Sequence, residues 1–167
     1  MKKFIMGIGI PASGKTTVLK KFAEKYGYDY ICPDDLRLEM YGKIEYKISS
    51  KDNSWKIKNK EVWEEVRERV KESLVNGNTV VLDAVFNDPK KRKDFFDFVK
   101  ENGAEKIQGI YVDTPIEVAK ERNREKERRV PEQIIDKIAA DFEEVKPKIE
   151  EGFDSMFTVD EYQNLVA

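Results

Sequence analysis

Residues 9–16 read Gly9-Ile10-Pro11-Ala12-Ser13-Gly14-Lys15-Thr16, a complete G-x4-G-K-[ST] pattern. No other stretch constrains the fold as strongly, because each position answers a physical need. Glycines let the backbone curl round an anion with its N–H groups inward, and a helix starting at Lys15 adds the positive end of its dipole. Lys15 reaches the β and γ phosphates, and the Thr16 hydroxyl completes the coordination of Mg²⁺. The flanks agree with this. Phe4 to Ile8 is a short apolar strand, and Val18, Leu19, Phe22 and Ala23 give residues 15–26 a helical stripe. The pattern predicts a nucleoside triphosphate site rather than a glycine-rich turn with an exposed lysine.

The rest of the chain repeats the alternation. Tyr28 to Cys32 is a strand halted by Pro33, and Asp34 caps a short helix through Met40. Residues 41–60 read as polar and irregular. A helix follows from Asn59 to Val75, with Val62, Trp63, Val66 and Val70 on its core face. Thr79 to Asp83 is a strand, and Asp88-Pro89 opens a helix to Asn102 that brings Phe95, Phe96 and Phe98 to the core. Lys106–Val112 is a strand; helices start at Pro115 and at Val130-Pro131, and Ser155 to Val159 closes the series. The expected fold class is α/β: a P-loop NTPase-type parallel sheet with helices on both faces. The expected organisation is one domain over residues 1–167.

Composition then narrows the chemistry. The 167 residues contain no histidine, which removes Ser-His-Asp machinery and histidine bases, and Cys32 is the only cysteine, so there is no thiolate metal cluster. Cys32 ends a strand and reads as a small packed residue. Carboxylates are therefore the first place to look for an acid-base group. In parallel sheets reactive groups gather beyond the carboxyl ends of strands, which selects Asp34-Asp35, Asp83 and Asp113. The first pair is the best candidate, because Arg37 follows one turn later and could hold an acceptor's phosphate. A plain helix cap with a surface ion pair is the alternative. No apolar run is long enough for a signal core or a membrane span, which with the unpaired cysteine points to the cytoplasm.

The loop at 9–17 followed by Asp34-Asp35-x-Arg37 resembles the kinase domain of phage polynucleotide 5′-hydroxyl kinases. Asn87-x-Pro89-x-x-Arg92, Arg122-Asn123 and Val130-Pro131 extend the resemblance over nearly the whole chain. It implies ATP and Mg²⁺, with Thr16 on the metal. It also implies that Gly9, Pro11, Ala12, Ser13, Gly14, Lys15, Thr16 and Thr17 hold the nucleotide together with Arg122, Arg124 and Arg128. Asp34 becomes the base and Arg37 the group on the acceptor's phosphate. The acceptor is then a single-stranded DNA or RNA end bearing a 5′-OH. Two departures stand out. No Asp-x-Asp-Gly-Thr phosphatase motif occurs, so phosphatase activity is not expected, and Ala84-Val85 replaces the family's Thr-Asn.

The lid differs as well. Residues 120–129 alternate Lys120, Arg122, Arg124, Lys126, Arg128 and Arg129 with three glutamates. The family's lid arginine falls on Lys126, which either suffices or yields the role to Arg124 or Arg128. An exposed, salt-bridged helix is the plainer reading of such alternation.

The net charge of −2 hides an uneven distribution. Residues 41–60 hold six lysines (43, 47, 51, 56, 58 and 60) against Glu45 and Asp52, interleaved with Tyr41, Tyr46 and Trp55. Lys90-Lys91-Arg92-Lys93 adds a second cluster, whereas residues 132–161 hold ten acidic and three basic residues. Basic residues among aromatics suit a single strand. A kinase of a nucleoside, antibiotic or sugar nucleotide, and a nucleotide-binding switch with slow hydrolysis, remain the competing readings.

Overall fold

The computed structural model describes residues 1–46 and 53–158. Five strands form one parallel sheet in the order β2-β3-β1-β4-β5: β1 Lys3–Gly9, β2 Asp29–Ile31, β3 Val80–Asp83, β4 Lys106–Val112 and β5 Ser155–Thr158. The helices are α1 Lys15–Tyr26, α2 Pro33–Tyr41, α3 Asn53–Val75, α4 Pro89–Glu101, α5 Ile116–Arg124 and α6 Glu132–Glu144, with a 3₁₀ turn at Ile149–Glu151.

Alternation along the strands builds two apolar layers. Phe4, Met6, Ile8, Val80 and Leu82 face one core with α3, α4 and α6, where Val62, Val66, Phe95 and Phe142 are buried. Ile5, Val81 and Ile110 face the other, against Leu19 and Ala23 of α1. Burial on both faces explains why these strands read as unbroken apolar runs. Helix α1 lies so close to β1 that a Cβ at Gly7 would sit 2.2 Å from Leu19 Cδ1. The α/β expectation, a parallel sheet with helices on both faces, holds.

Several local expectations are corrected. Helix α3 begins by Asn53, not at Asn59. Its first turns lack a core stripe, with Ile57 exposed, and are held by polar bonds: Trp55 Nε1 donates to the Glu45 carbonyl (3.0 Å) and Lys58 pairs with Glu45 (3.1 Å). Asp34 does not cap α2. Cys32 occupies the cap position in extended conformation and Pro33 starts the helix, leaving Asp34 within the first turn. Asp88 does cap α4, accepting from the Lys90 N–H at 2.9 Å. Trp63 and Phe98 are half-buried at the margin of the core.

The cluster at 90–93 is not a uniform basic surface either. Arg92 is 0% exposed, with Nε and Nη2 each 2.7 Å from the Glu151 carboxylate and Nη1 donating to the Phe86 carbonyl at 2.6 Å. Lys47 and Lys51, from the basic stretch, lie outside the described residues, as do Val159 and the acidic positions 160 and 161.

Candidate active site

All strands run the same way, so β1, β2, β3 and β4 end at one edge and deliver the phosphate loop, Asp34, Asp83 and Asp113 there. The loop is wound tightly. Ala12 (φ 63°) and Gly14 (φ 89°) take left-handed conformations, a cost of about 1–2 kcal/mol for a non-glycine residue. Such a residue reverses the backbone and turns successive N–H groups into one hollow. From outside, Thr114 Oγ1 (2.9 Å) and Arg122 Nη1 (3.0 Å) both donate to the Ser13 carbonyl. A Cβ at Gly14 would come within 3.2 Å of Arg122 Nη1.

Asp83 is the hub below the loop. It is 2% exposed, and its Oδ2 accepts from Thr16 Oγ1 at 2.7 Å and from Tyr30 Oη at 2.5 Å. Lys15 Nζ lies 3.5 Å from Oδ1. Polar groups this deep are stable only when hydrogen-bonded or paired, and Asp83 has three such partners. Burial and then the Asp83 charge push the Tyr30 hydroxyl far above its ordinary range, so it acts as a donor throughout. The Cys32 thiol is raised by the same two causes, which makes it a poor nucleophile.

A cleft of about 850 Å³ opens beside the loop, bounded by residues 12–18, Pro115, Val118, Arg122, Lys126 and Thr158. Asp113 stands on its rim, exposed, taking a long 3.4 Å bond from the Tyr111 hydroxyl. Tyr111 is pushed up to about 12 by burial and then by Asp113.

On the β2 side, Arg37 is gripped at both terminal nitrogens. Nη1 contacts Asp34 Oδ1 at 2.7 Å and Nη2 donates to Asn59 Oδ1 at 2.9 Å. The 120–129 segment adds Arg122 and Lys126 to the cleft. Lys126 is pulled below an ordinary lysine by burial first and then by the charges of Lys15 and Arg128, while Asp34 opposes this. Lys126 thus lies within the fields of both Lys15 and Asp34. The Tyr46 hydroxyl is raised by burial first and then by Asp34, with Arg128 and Arg37 opposing. Arg124 is elsewhere, paired with Glu132 at 2.9 Å on the exposed face.

The residues named from sequence therefore separate. Residues 12–17, Arg122 and Lys126 share the cleft; Asp34 and Arg37 form a pair beside it; Arg124 does not face it. Sequence reasoning selected Asp83 as one of three strand-end candidates, but ranked Asp34-Asp35 above it and assigned it no partners. It missed Thr114 and Asn59, whose parts depend on contacts 101 and 22 residues away. Among the described residues no group of three or more Cys, Asp or Glu side chains could cage a metal, and the chain contains no histidine. Magnesium usually keeps waters and takes one or two protein ligands plus phosphates, so the adjacent Thr16 hydroxyl and Asp83 carboxylate fit that ion. No helix among the described residues is long and apolar enough to cross a membrane.

Solved structures share this fold. A chain of the Pnkp1/Rnl/Hen1 RNA repair complex matches at 21% identity and a TM-score of 0.73, over 87% of this chain and 45% of that one. A sugar kinase from Janibacter sp. HTCC2649 matches at 18% identity and a TM-score of 0.68, over 99% and 91%. Shikimate kinase from Bacteroides thetaiotaomicron matches at 18% and 0.59, over 99% and 94%. This chain thus spans less than half of the RNA repair chain but nearly all of the two small kinases. No curated protein sequence matches it. The family model described as AAA domain matches residues 4–145, and the chain belongs to that family.

Proposed function

We propose that the chain is a P-loop kinase that transfers the γ-phosphate of ATP to the 5′-hydroxyl of a DNA or RNA end. The observation that carries this reading is geometric: the Asp34–Arg37 pair (2.7 Å) stands at the same sheet edge as the phosphate loop, whose cleft Lys126 lines. Phosphoryl transfer needs little covalent help from a protein; positioning and charge stabilisation supply most of the rate. Lys15 and the loop N–H groups hold the triphosphate, and Arg122 braces the loop from behind. Asp34 keeps Oδ2 for the acceptor hydroxyl's proton while Arg37 occupies Oδ1. Arg37 draws in the acceptor's 3′-side phosphate, and Lys126, with Arg128, offsets charge on the transferred group. Thr16 and Asp83 would hold Mg²⁺, which neutralises charge on the β and γ oxygens. In this reading residues 120–129 are a lid over the nucleotide, and residues 1–167 act as one kinase unit.

One observation favours a small-molecule acceptor instead. Glu45 takes both Lys43 (2.9 Å) and Lys58 (3.1 Å), which quenches part of the basic stretch. An acceptor panel at fixed ATP separates the readings: a 5′-OH oligonucleotide, nucleosides, and sugar or shikimate acceptors. The polynucleotide reading expects the oligonucleotide to have the highest kcat/KM, and Asp34→Ala to lower kcat at least 100-fold. Preference for a monomeric acceptor would overturn it. ATP binding with no transfer to any acceptor would favour a switch.

A further inference from the structure

We propose that Asn59 is a positioning residue that aims Arg37 at the acceptor's phosphate; this rests on the reading of Arg37 given above. An arginine side chain has many rotamers to lose, and its i,i+3 pair with Asp34 restrains only one end of the guanidinium. The second restraint comes from another element, since Asn59 in α3 accepts from Nη2 at 2.9 Å. Arg37 is thereby held between two helices, with its side chain 19% exposed.

The chemistry of the partner matters as much as its position. A guanidinium has five N–H donors, and these two bonds engage one on each terminal nitrogen. The others stay available for an anion. An amide oxygen orients the fork without cancelling its charge, whereas a second carboxylate would leave Arg37 between two negative groups. That environment is suited to recognising an incoming phosphate.

The test uses two acceptors, a nucleoside 3′-monophosphate and the same nucleoside without phosphate, at saturating ATP. Asn59→Ala should raise KM for the monophosphate about tenfold, change kcat less than threefold, and leave kcat/KM for the nucleoside within twofold. Asn59→Asp, which keeps a partner but adds a charge, should show the same selective loss, whereas a structural role predicts its rescue. The double variant Arg37→Gln/Asn59→Ala should be no worse than Arg37→Gln alone, because Asn59 acts through Arg37. Alanine suits a helix interior, and urea midpoints confirm that the variants fold. If Arg37→Gln raises KM for the monophosphate and Asn59→Ala does not, the Asn59 proposal falls and the reading of Arg37 stands. If Arg37→Gln is also silent, or the wild type phosphorylates neither acceptor, the reading itself falls and takes Asn59 with it. Equal losses on both acceptors, or additive losses in the double variant, also overturn the proposal.

Discussion

Asp83 shows how one buried carboxylate can organise a site. Two hydroxyls share its Oδ2 and Lys15 faces Oδ1, so its direction is set before any ligand arrives. Asp83→Asn keeps the shape but loses the charge, and should lower kcat/KM for ATP at least 100-fold. Tyr30→Phe removes one donor and leaves Thr16. It should raise the Mg²⁺ concentration giving half-maximal rate severalfold and lower stability by about 1 kcal/mol, read by Mg²⁺ titration and urea unfolding. An unchanged Mg²⁺ titration would separate Tyr30 from the metal site. Lys126 offers a pH signature. Its pKa in the free protein is lowered by burial, Lys15 and Arg128, so its charge is lost as pH rises through a value below the ordinary lysine range. The alkaline limb of kcat/KM for ATP should therefore fall early. Lys126→Arg, always charged, should flatten that limb; an unchanged profile would remove Lys126 from the transfer step.

At the level of elements, the least expected feature is the clamp joining α4 to the 3₁₀ turn. Arg92 reaches Glu151 with two bonds and the Phe86 carbonyl with a third, and Phe86 has φ 49°. The loop after β3 is thus tied to the chain's later helical layer, and Asn87 adds a bond to Asp141 of α6 (2.7 Å). Arg92→Met strands Glu151 and the Phe86 carbonyl, and should cost about 3 kcal/mol in urea unfolding. Adding Glu151→Leu should recover part of this; full additivity would show that the pair is not the cause. Sequence reasoning found every described strand and helix in order, because apolar periodicity, Asp88-Pro89 and the 9–16 loop are local signals. It placed Arg92 on a basic surface because the partner that buries it is 59 residues away. The start of α3 was invisible for a related reason. Its first turns are fixed by Trp55 and Lys58 on Glu45, bonds between residues that no helical spacing connects. The loop lysine and threonine were legible in their motif; the bond from Arg37 to Asn59 was not, since Asn59 read only as the place where a helix began.

Across the whole molecule, the parallel sheet collects the phosphate loop, Asp34, Asp83 and Asp113 at one edge, and the proposed function has an acceptor strand extending from it. Charge tests this. A polymer that engages Z lysines or arginines releases counterions, and for a single strand the slope of log K against log salt is about −0.7Z. Of the described lysines in the 41–60 stretch, Lys43 and Lys58 are paired on Glu45, and hydrogen bonds from Lys43 first and Lys58 second hold that carboxyl below its ordinary range. Lys60 has only a 4.0 Å approach to Glu64. With Arg37 and one lysine engaged, the acceptor affinity of a 5′-OH oligonucleotide should fall with a slope of roughly −1.4. Glu45→Gln releases Lys43 and Lys58 for phosphate contact and should steepen the slope by about another 1.4. The measurement is acceptor KM between 50 and 200 mM KCl for both proteins. A flat line for both would mean that no strand lies along this face and would favour a small acceptor. A steep wild-type slope unaffected by Glu45→Gln would mean that the strand follows a different path, away from Lys43 and Lys58.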